Sequence, residues 1–306
     1  MLPSVSVVIC AYSLDRWDDL AAAVASVRAQ TPPPLETIVV VDHNDALLER
    51  ARRELEAVVV PSTGRPGLSP ARNAGIAAAH GEVVAFLDDD AAAEPGWLAA
   101  LAAPYEEAAV VAVGGAVEPR WLAGRPSTFP PEFDWVVGCT YRGHPTERRP
   151  VRNVIGANMS FRRSVFEEVG GFDADIGRVG TRPVGCEETE LCIRAGRTRA
   201  GAVVLYEPAA RVLHAVPPAR ATWGYFVRRC FGEGLSKAVV ARLAGRQDAL
   251  STERGYVART VAGGIVRDTA ALGRGDVAGP ARALRMALGL GAAAAGYGYA
   301  RVADRR

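Results

Sequence analysis

Three consecutive acids, Asp88, Asp89 and Asp90, end the apolar run in GEVVAFLDDDAAAEPGW, residues 81–97. Adjacent carboxylates repel one another and are costly to desolvate, so a fold that gathers them supplies a cation or hydrogen-bond donors. Hard carboxylate oxygens suit Mg2+ or Mn2+, and such an ion is commonly shared between one or two carboxylates and the phosphates of a substrate. The plain alternative is a cap on a helix beginning near Pro95, because Asp is a good N-cap. One Asp suffices for a cap, and three of them set several residues before EPGW favour the metal reading.

Three further features could do chemistry. In GRPGLSPARNAG, residues 64–75, Ser69 reads as an N-cap and Pro70 as the first helical position. Arg72 then falls in the first turn, where free amides already favour an anion; a capped surface helix with an incidental Arg is the bland reading. Glu187 and Glu188 open a helix after the Gly/Pro-rich VGTRPVGC. Either could serve as a general base if burial or a neighbouring acid lifts its pKa, although acids are common in any first helical turn. His214 sits in the apolar RVLHAV, where a hydrogen-bonded core histidine is the ordinary outcome. The chain lacks GxxxxGK[ST], a GxGxxG after its first strand, HExxH and GxSxG. P-loop, dinucleotide, zincin and α/β-hydrolase chemistries therefore lose their main support.

The elements that must position these residues are legible. SVSVVICAY (4–12), ETIVVVDH (36–43), EAVVVPS (56–62) and GEVVAFLDD (81–89) are short β-branched runs separated by helix-compatible segments. Continuous apolarity and strand–helix alternation predict a mostly parallel, Rossmann-like α/β sheet flanked by helices. Ligands bind beyond the carboxyl ends of such strands, and here the ends carry Tyr12, Asp42 with Asn44, Ser62 to Arg65, and the Asp cluster. Further strands are expected at 110–121 and as two pieces broken at Pro208, with a Pro-rich loop to about residue 150.

Charge divides the 306 residues unevenly. Residues 1–210 carry 20 Arg/Lys against 28 Asp/Glu, and residues 211–306 carry 16 against 6. The basic tail therefore suits an anionic membrane surface or a phosphorylated ligand, and no sequence feature supports nucleic acid. ALRMALGLGAAAAGYGYA, residues 283–300, falls short of a membrane span because it holds Arg285 and several glycines; an interfacial amphipathic helix and a helix packed on the body are both open. Five scattered cysteines without CxxC read as reduced thiols, and the N-terminus has no secretory pattern. The expected location is cytoplasmic, with a peripheral position at the inner face of the cell membrane as a possibility.

Taken in order, VVICAYS, VVVDHN, GLSPARNAGIAAAHGEVVAFLDDD, GANMSFRR, GGFD and CEETELCIR resemble glycosyltransferase family 2 with the GT-A fold, over residues 4–216. The resemblance implies an inverting, Mg2+- or Mn2+-assisted transfer from a nucleotide sugar to an acceptor hydroxyl on a glycan, a polyprenyl-linked sugar or a small metabolite. Carried over by position, Tyr12 and Asp42 contact the nucleobase with Arg72 beside it, and Asp88 and Asp89 face the ribose and metal. Asp90 and His214 become metal ligands, and Asn158 and Asp173 line the acceptor side. Glu188, or its neighbour Glu187, takes the place of the family's catalytic Asp. Two departures stand out: DHND ends the second strand, and the family's Glu-Asp pair is Glu-Glu. The expected domains are a transferase body over 1–218, with a donor half at about 1–115 and an acceptor half at 116–218, and a helical extension over 219–306. The rival readings are a sugar nucleotidyltransferase, disfavoured because CAYSLDRW lacks a Gly-rich loop, and a noncatalytic nucleotide-sugar-binding or membrane-scaffold protein.

Overall fold

Residues 2–177, 185–244 and 255–303 are described by the structure, a computed structural model. They fall into two compact units, the first comprising 2–118, 145–177 and 187–215 and the second 119–144, 185–186 and 216–303.

The first unit begins with the predicted alternation. Strands β1 (Val5–Ala11), β2 (Glu36–Asp42), β3 (Val58–Ser62) and β4 (Val83–Asp88) are separated by helices α1 (Trp17–Arg28), α2 (Asp45–Glu54) and α3 (Leu68–Ala78). β5 (Ala91–Ala93), α4 (Trp97–Ala102), β6 (Val110–Trp121), β7 (Arg149–Pro150), β8 (Asn158–Arg162), α5 (Arg163–Val169), α6 (Glu187–Ala195) and β9 (Val203–Val216) follow. The sheet order is β3-β2-β1-β4-β8-β6-β9-β5, with β7 on β9. The β3-β2-β1-β4 part is parallel, and β8 joins β4 antiparallel, so the sheet is mixed beyond the first four strands.

Burial on both faces explains the unbroken apolar runs. Val7, Val8 and Ile9 of β1, Ile38 to Val41 of β2 and Val83 to Leu87 of β4 are all buried. Below them Phe86, Phe161, Phe166 and Phe172 form one cluster, with Phe86 edge-on to Phe172 at 5.4 Å between centroids. Each such side chain contributes about 1.5–3 kcal/mol through burial.

Two local readings change, and one strand is added. β9 is one strand rather than two: Glu207 Oε1 accepts from the Ala209 amide at 3.0 Å, so the backbone beside Pro208 stays satisfied. Ser69 is not a cap; α3 starts at Leu68 behind Gly67, and the Ser69 hydroxyl donates to the Ile176 carbonyl at 2.5 Å. The short β5 directly after the Asp cluster carries only alanines and has no strand signal of its own.

The second unit contains α7 (Trp223–Ala244), a π-helical turn (Tyr256–Val261), α8 (Ala262–Ala271) and α9 (Gly279–Ala303). Two of the glycines that argued against a membrane span, Gly289 and Gly296, have a packing function. A side chain at Gly296 would overlap the Phe231 carbonyl of α7, and one at Gly234 would overlap the Ala293 carbonyl of α9, so the two helices meet backbone to backbone. No helix among the described residues is long and apolar enough to cross a membrane. Part of the basic excess is internal: Arg267 donates to buried Glu132 at 2.7 Å, and Arg282 to Asp268 at 3.1 Å.

The same closeness occurs in the sheet at Gly115, where a Cβ would overlap the Ala210 carbonyl and crowd Asn158 Nδ2. Gly115→Ala is expected to cost about 3 kcal/mol through overpacking, read as a lower urea midpoint at unchanged slope.

Candidate functional site

The site is built at the carboxyl ends of the parallel strands. Asp88 is the last residue of β4, in register with Cys10 of β1. Asp90 follows after one residue, and its carbonyl accepts from the Ala215 amide at 2.8 Å as the chain enters β5. β5 runs antiparallel to β9 with Ala91 opposite His214. That register delivers the histidine to the acids: His214 Nε2 lies 3.0 Å from Asp90 Oδ1. One ligand atom each from Asp88, Asp90 and His214 lie within 4.8 Å of one another, a two-oxygen, one-nitrogen set that could hold a divalent ion.

Two arginines balance the acids. Arg16, at the end of the 3-10 turn Leu14–Arg16 after β1, donates to Asp89 Oδ1 at 2.8 Å and reaches Asp90 Oδ2 at 3.4 Å. Its guanidinium also stands 5.4 Å from the Tyr12 ring centre. Asp89 Oδ2 is buried without a hydrogen-bond partner among the described residues. Burial pushes the Asp89 carboxyl up to about 7 against the pull of Arg16, with Asp90 and Asp88 adding repulsion. The sequence reading missed Arg16; its only signal is its place just past the end of β1.

Arg72 is the second counter-charge and is only 2% exposed. Nη1 donates to Glu187 Oε1 at 2.7 Å, and Nη2 reaches the Gly156 carbonyl at 3.1 Å and Asp88 Oδ1 at 3.4 Å. Burial opposes the charge, but Glu187 and Asp88 hold the guanidinium's pKa above its ordinary value. One side chain thus links the Asp cluster to the start of α6. Glu188, next along, is partly exposed and accepts from Thr189 Oγ1 at 3.3 Å. Cys186, just before α6, has φ +70°, a left-handed conformation uncommon for a non-glycine residue. The rest of the Gly/Pro-rich approach, residues 178–184, lies outside the described residues.

The remaining expected residues are spread around this centre. Tyr12 is exposed at the end of β1. Asp42 ends β2 and is occupied on both oxygens, accepting from the Gly67 amide at 2.9 Å and lying 2.6 Å from His43 Nδ1. Asp173 is in the GGFD turn, where its Oδ1 accepts from the Asp175 amide at 2.8 Å. That turn is held by Asn73, which both donates to the Phe172 carbonyl and accepts from the Phe172 amide at 2.8 Å. Asn158 is fully buried; its Oδ1 accepts from Trp97 Nε1 at 2.8 Å and its Nδ2 donates to the carbonyls of Ala116 and Ala210. Its amide is thus used to join β8, β6, β9 and α4. Burial pushes the Cys10 thiol up to about 12, so it stays protonated and takes no part as a thiolate.

A sequence profile described as glycosyl transferase family 2 matches residues 6–170. The chain belongs to glycosyltransferase family 2. Membership makes it a glycosyltransferase with the GT-A fold expected from its motifs. Among curated relatives, it is 42% identical over 241 residues to the glucosyl-dolichyl phosphate glucuronosyltransferase of Haloferax volcanii, covering 77% of each chain. Among solved structures, the Pyrobaculum calidifontis mannosyltransferase PcManGT, in complex with GDP-Man and Mn2+, matches with TM-score 0.58 at 18% identity over 94% of this chain and 86% of that one. GalNAc-T7 with UDP, GalNAc and Mn2+ matches with TM-score 0.54 at 18% identity; 81% of this chain is covered, and the match spans 54% of the longer protein. At these identities the structural likenesses concern the fold.

Arg72 makes this family member's site one electrostatic unit. Arg72→Met is expected to destabilise it by about 3–5 kcal/mol, because Glu187 is left charged and buried without its partner. The double variant Arg72→Met/Glu187→Gln is expected to recover most of that loss in denaturant titrations.

Proposed function

We propose that the protein is a metal-dependent inverting glycosyltransferase that moves a sugar from a nucleotide-sugar donor to a hydroxyl of a lipid-phosphate-linked sugar. The observation that carries the reading is the convergence of Asp88, Asp90 and His214 at the strand ends. Mg2+ or Mn2+ held there would neutralise negative charge growing on the departing diphosphate. Its donor set is hard oxygen with one imidazole, which fits either ion.

Glu188 is the better candidate for the base. Glu187 is committed to Arg72 at 2.7 Å, whereas Glu188 is partly exposed at the same helix start. In this reading Glu188 takes the proton of the acceptor hydroxyl while that oxygen bonds to the anomeric carbon from the face opposite the nucleoside diphosphate. The anomeric bond to the diphosphate breaks as the new one forms, which inverts the centre. Tyr12 at the end of β1 and Asp42 at the end of β2 take the nucleoside, and Asp173 in the GGFD turn faces the acceptor. Asn158 supports the site through the sheet, given its committed amide. The functional division is a donor half at about 1–115, an acceptor half at 116–218 and an extension from 219.

The relative in Haloferax volcanii supports the lipid-linked acceptor. The extension's surface supports a peripheral membrane position at the cytoplasmic face, with exposed Leu272, Val277, Leu284, Leu288 and Val302 among its arginines.

Glu188→Gln is expected to lower kcat about 100- to 10,000-fold while calorimetric donor binding persists, and unchanged turnover would overturn the assignment. Exhaustive chelation, or Asp90→Asn, is expected to remove most donor affinity in the same calorimeter, and Mn2+ should restore the chelated protein but not the variant. Flotation with anionic vesicles is expected to carry the protein at low salt and to fail as salt is raised.

A further inference from the structure

The second unit holds buried hydrogen-bond donors with no partner among the described residues. Arg285 of α9 is 2% exposed, and its Nε and Nη1 have no hydrogen-bond partner among the described residues. Among the described residues no carboxylate pairs with it, and burial alone lowers its pKa. Its guanidinium instead rests among aromatic rings, 4.0 Å from the Trp223 ring centre and 5.4 Å from those of Phe129 and Phe226. The indole Nε1 of Trp121 is a second buried donor without a partner among the described residues, and that ring stands 5.0 Å from Phe129. Both sets of orphaned donors therefore flank the same phenylalanine.

A neighbouring arginine shows the contrast. Arg125 also lies over Trp121 and Phe129, at 5.3 and 5.9 Å, but its fork is taken by Asp134 at 2.7 and 3.0 Å and by the Phe129 carbonyl. Arg285 shares Phe129 with it and has no acid among the described residues. Stacking on ring faces offsets only part of the cost of burying a cation, so the group is set up for an anion from outside the chain.

The surroundings narrow that anion. Guanidinium and indole N–H donors suit phosphate oxygens, and Trp121, Phe129, Trp223 and Phe226 suit hydrocarbon. Trp223, the first residue of α7, is 38% exposed and lies nearest the guanidinium, so its rotation would uncover the donors. We propose that Arg285 and Trp121 Nε1 bind the phosphate of a phosphate ester of a long-chain alcohol, with Trp223 as the movable cover. This rests on the lipid-linked acceptor proposed above and assigns the residues that hold its phosphate.

The test is calorimetric titration of the full-length protein with farnesyl phosphate, farnesol and inorganic phosphate. Farnesyl phosphate is expected to bind at least about ten-fold more tightly than either of the others, because only it satisfies both the donors and the rings. Arg285→Met should weaken farnesyl phosphate at least about ten-fold without lowering the melting temperature, since an unpaired buried cation is removed. Trp121→Phe, which deletes one N–H and keeps the ring, should weaken it about three-fold or more. Wild-type affinity in both variants, or equal binding of farnesol, overturns the inference. Sugar transfer to lipid-linked acceptors with no dependence of farnesyl phosphate binding on Arg285 would sink this inference alone. Arg285-dependent binding without transfer to any lipid-linked acceptor would sink the acceptor reading and leave this site standing.

Discussion

The desolvation of carboxylates at the end of β4 constrains everything around them. Asp89 and Asp90 are buried and Asp88 half-buried, and like charges so placed are tolerated only with counter-charge at hand. Arg16 and Arg72 supply it from separate elements, the turn after β1 and the second turn of α3. Because Arg72 also holds Glu187, the start of α6 is bound electrostatically to the strand end that carries the metal-binding candidates. The arrangement is preorganised: its geometry is enforced by charges that cannot be separated without leaving one unpaired.

The switch from parallel to antiparallel pairing completes the site. A purely parallel continuation would leave the strand end with acids alone. Instead the chain turns at Asp90 into β5, whose pairing with β9 sets Ala91 opposite His214 and brings an imidazole within 3.0 Å of Asp90. Asn158 performs a related service on the other side of the sheet, bridging the backbones of β6 and β9 while Trp97 donates to it. Gly115 beside it permits the close approach.

The second unit obeys a different economy of charge. Glu132, Asp134 and Asp268 are buried acids, each answered by one or more arginines, of which Arg267 and Arg282 belong to the basic tail. Glycines let α7 and α9 approach backbone to backbone. Arg285 differs: among the described residues it is a buried cation answered by rings and no acid.

Much of this was legible in the chain itself. The apolar runs of β1, β2 and β4 pointed to a parallel sheet because strands covered on both faces are apolar throughout, and the polar residues at the strand ends marked the rim. The acid triplet announced a need for counter-charge for the same local reason. Other features had no local signal: Ala91–Ala93 is a strand only because β9 offers it an edge, and Arg16 is a ligand of Asp89 only because two strands place them side by side. The nearness of His214 to Asp90 and the pairing of Glu187 with Arg72 were likewise decided by tertiary structure. Pairing register and the competition of buried charges for partners act between residues 73 to 124 positions apart, and sequence patterns report only on near neighbours.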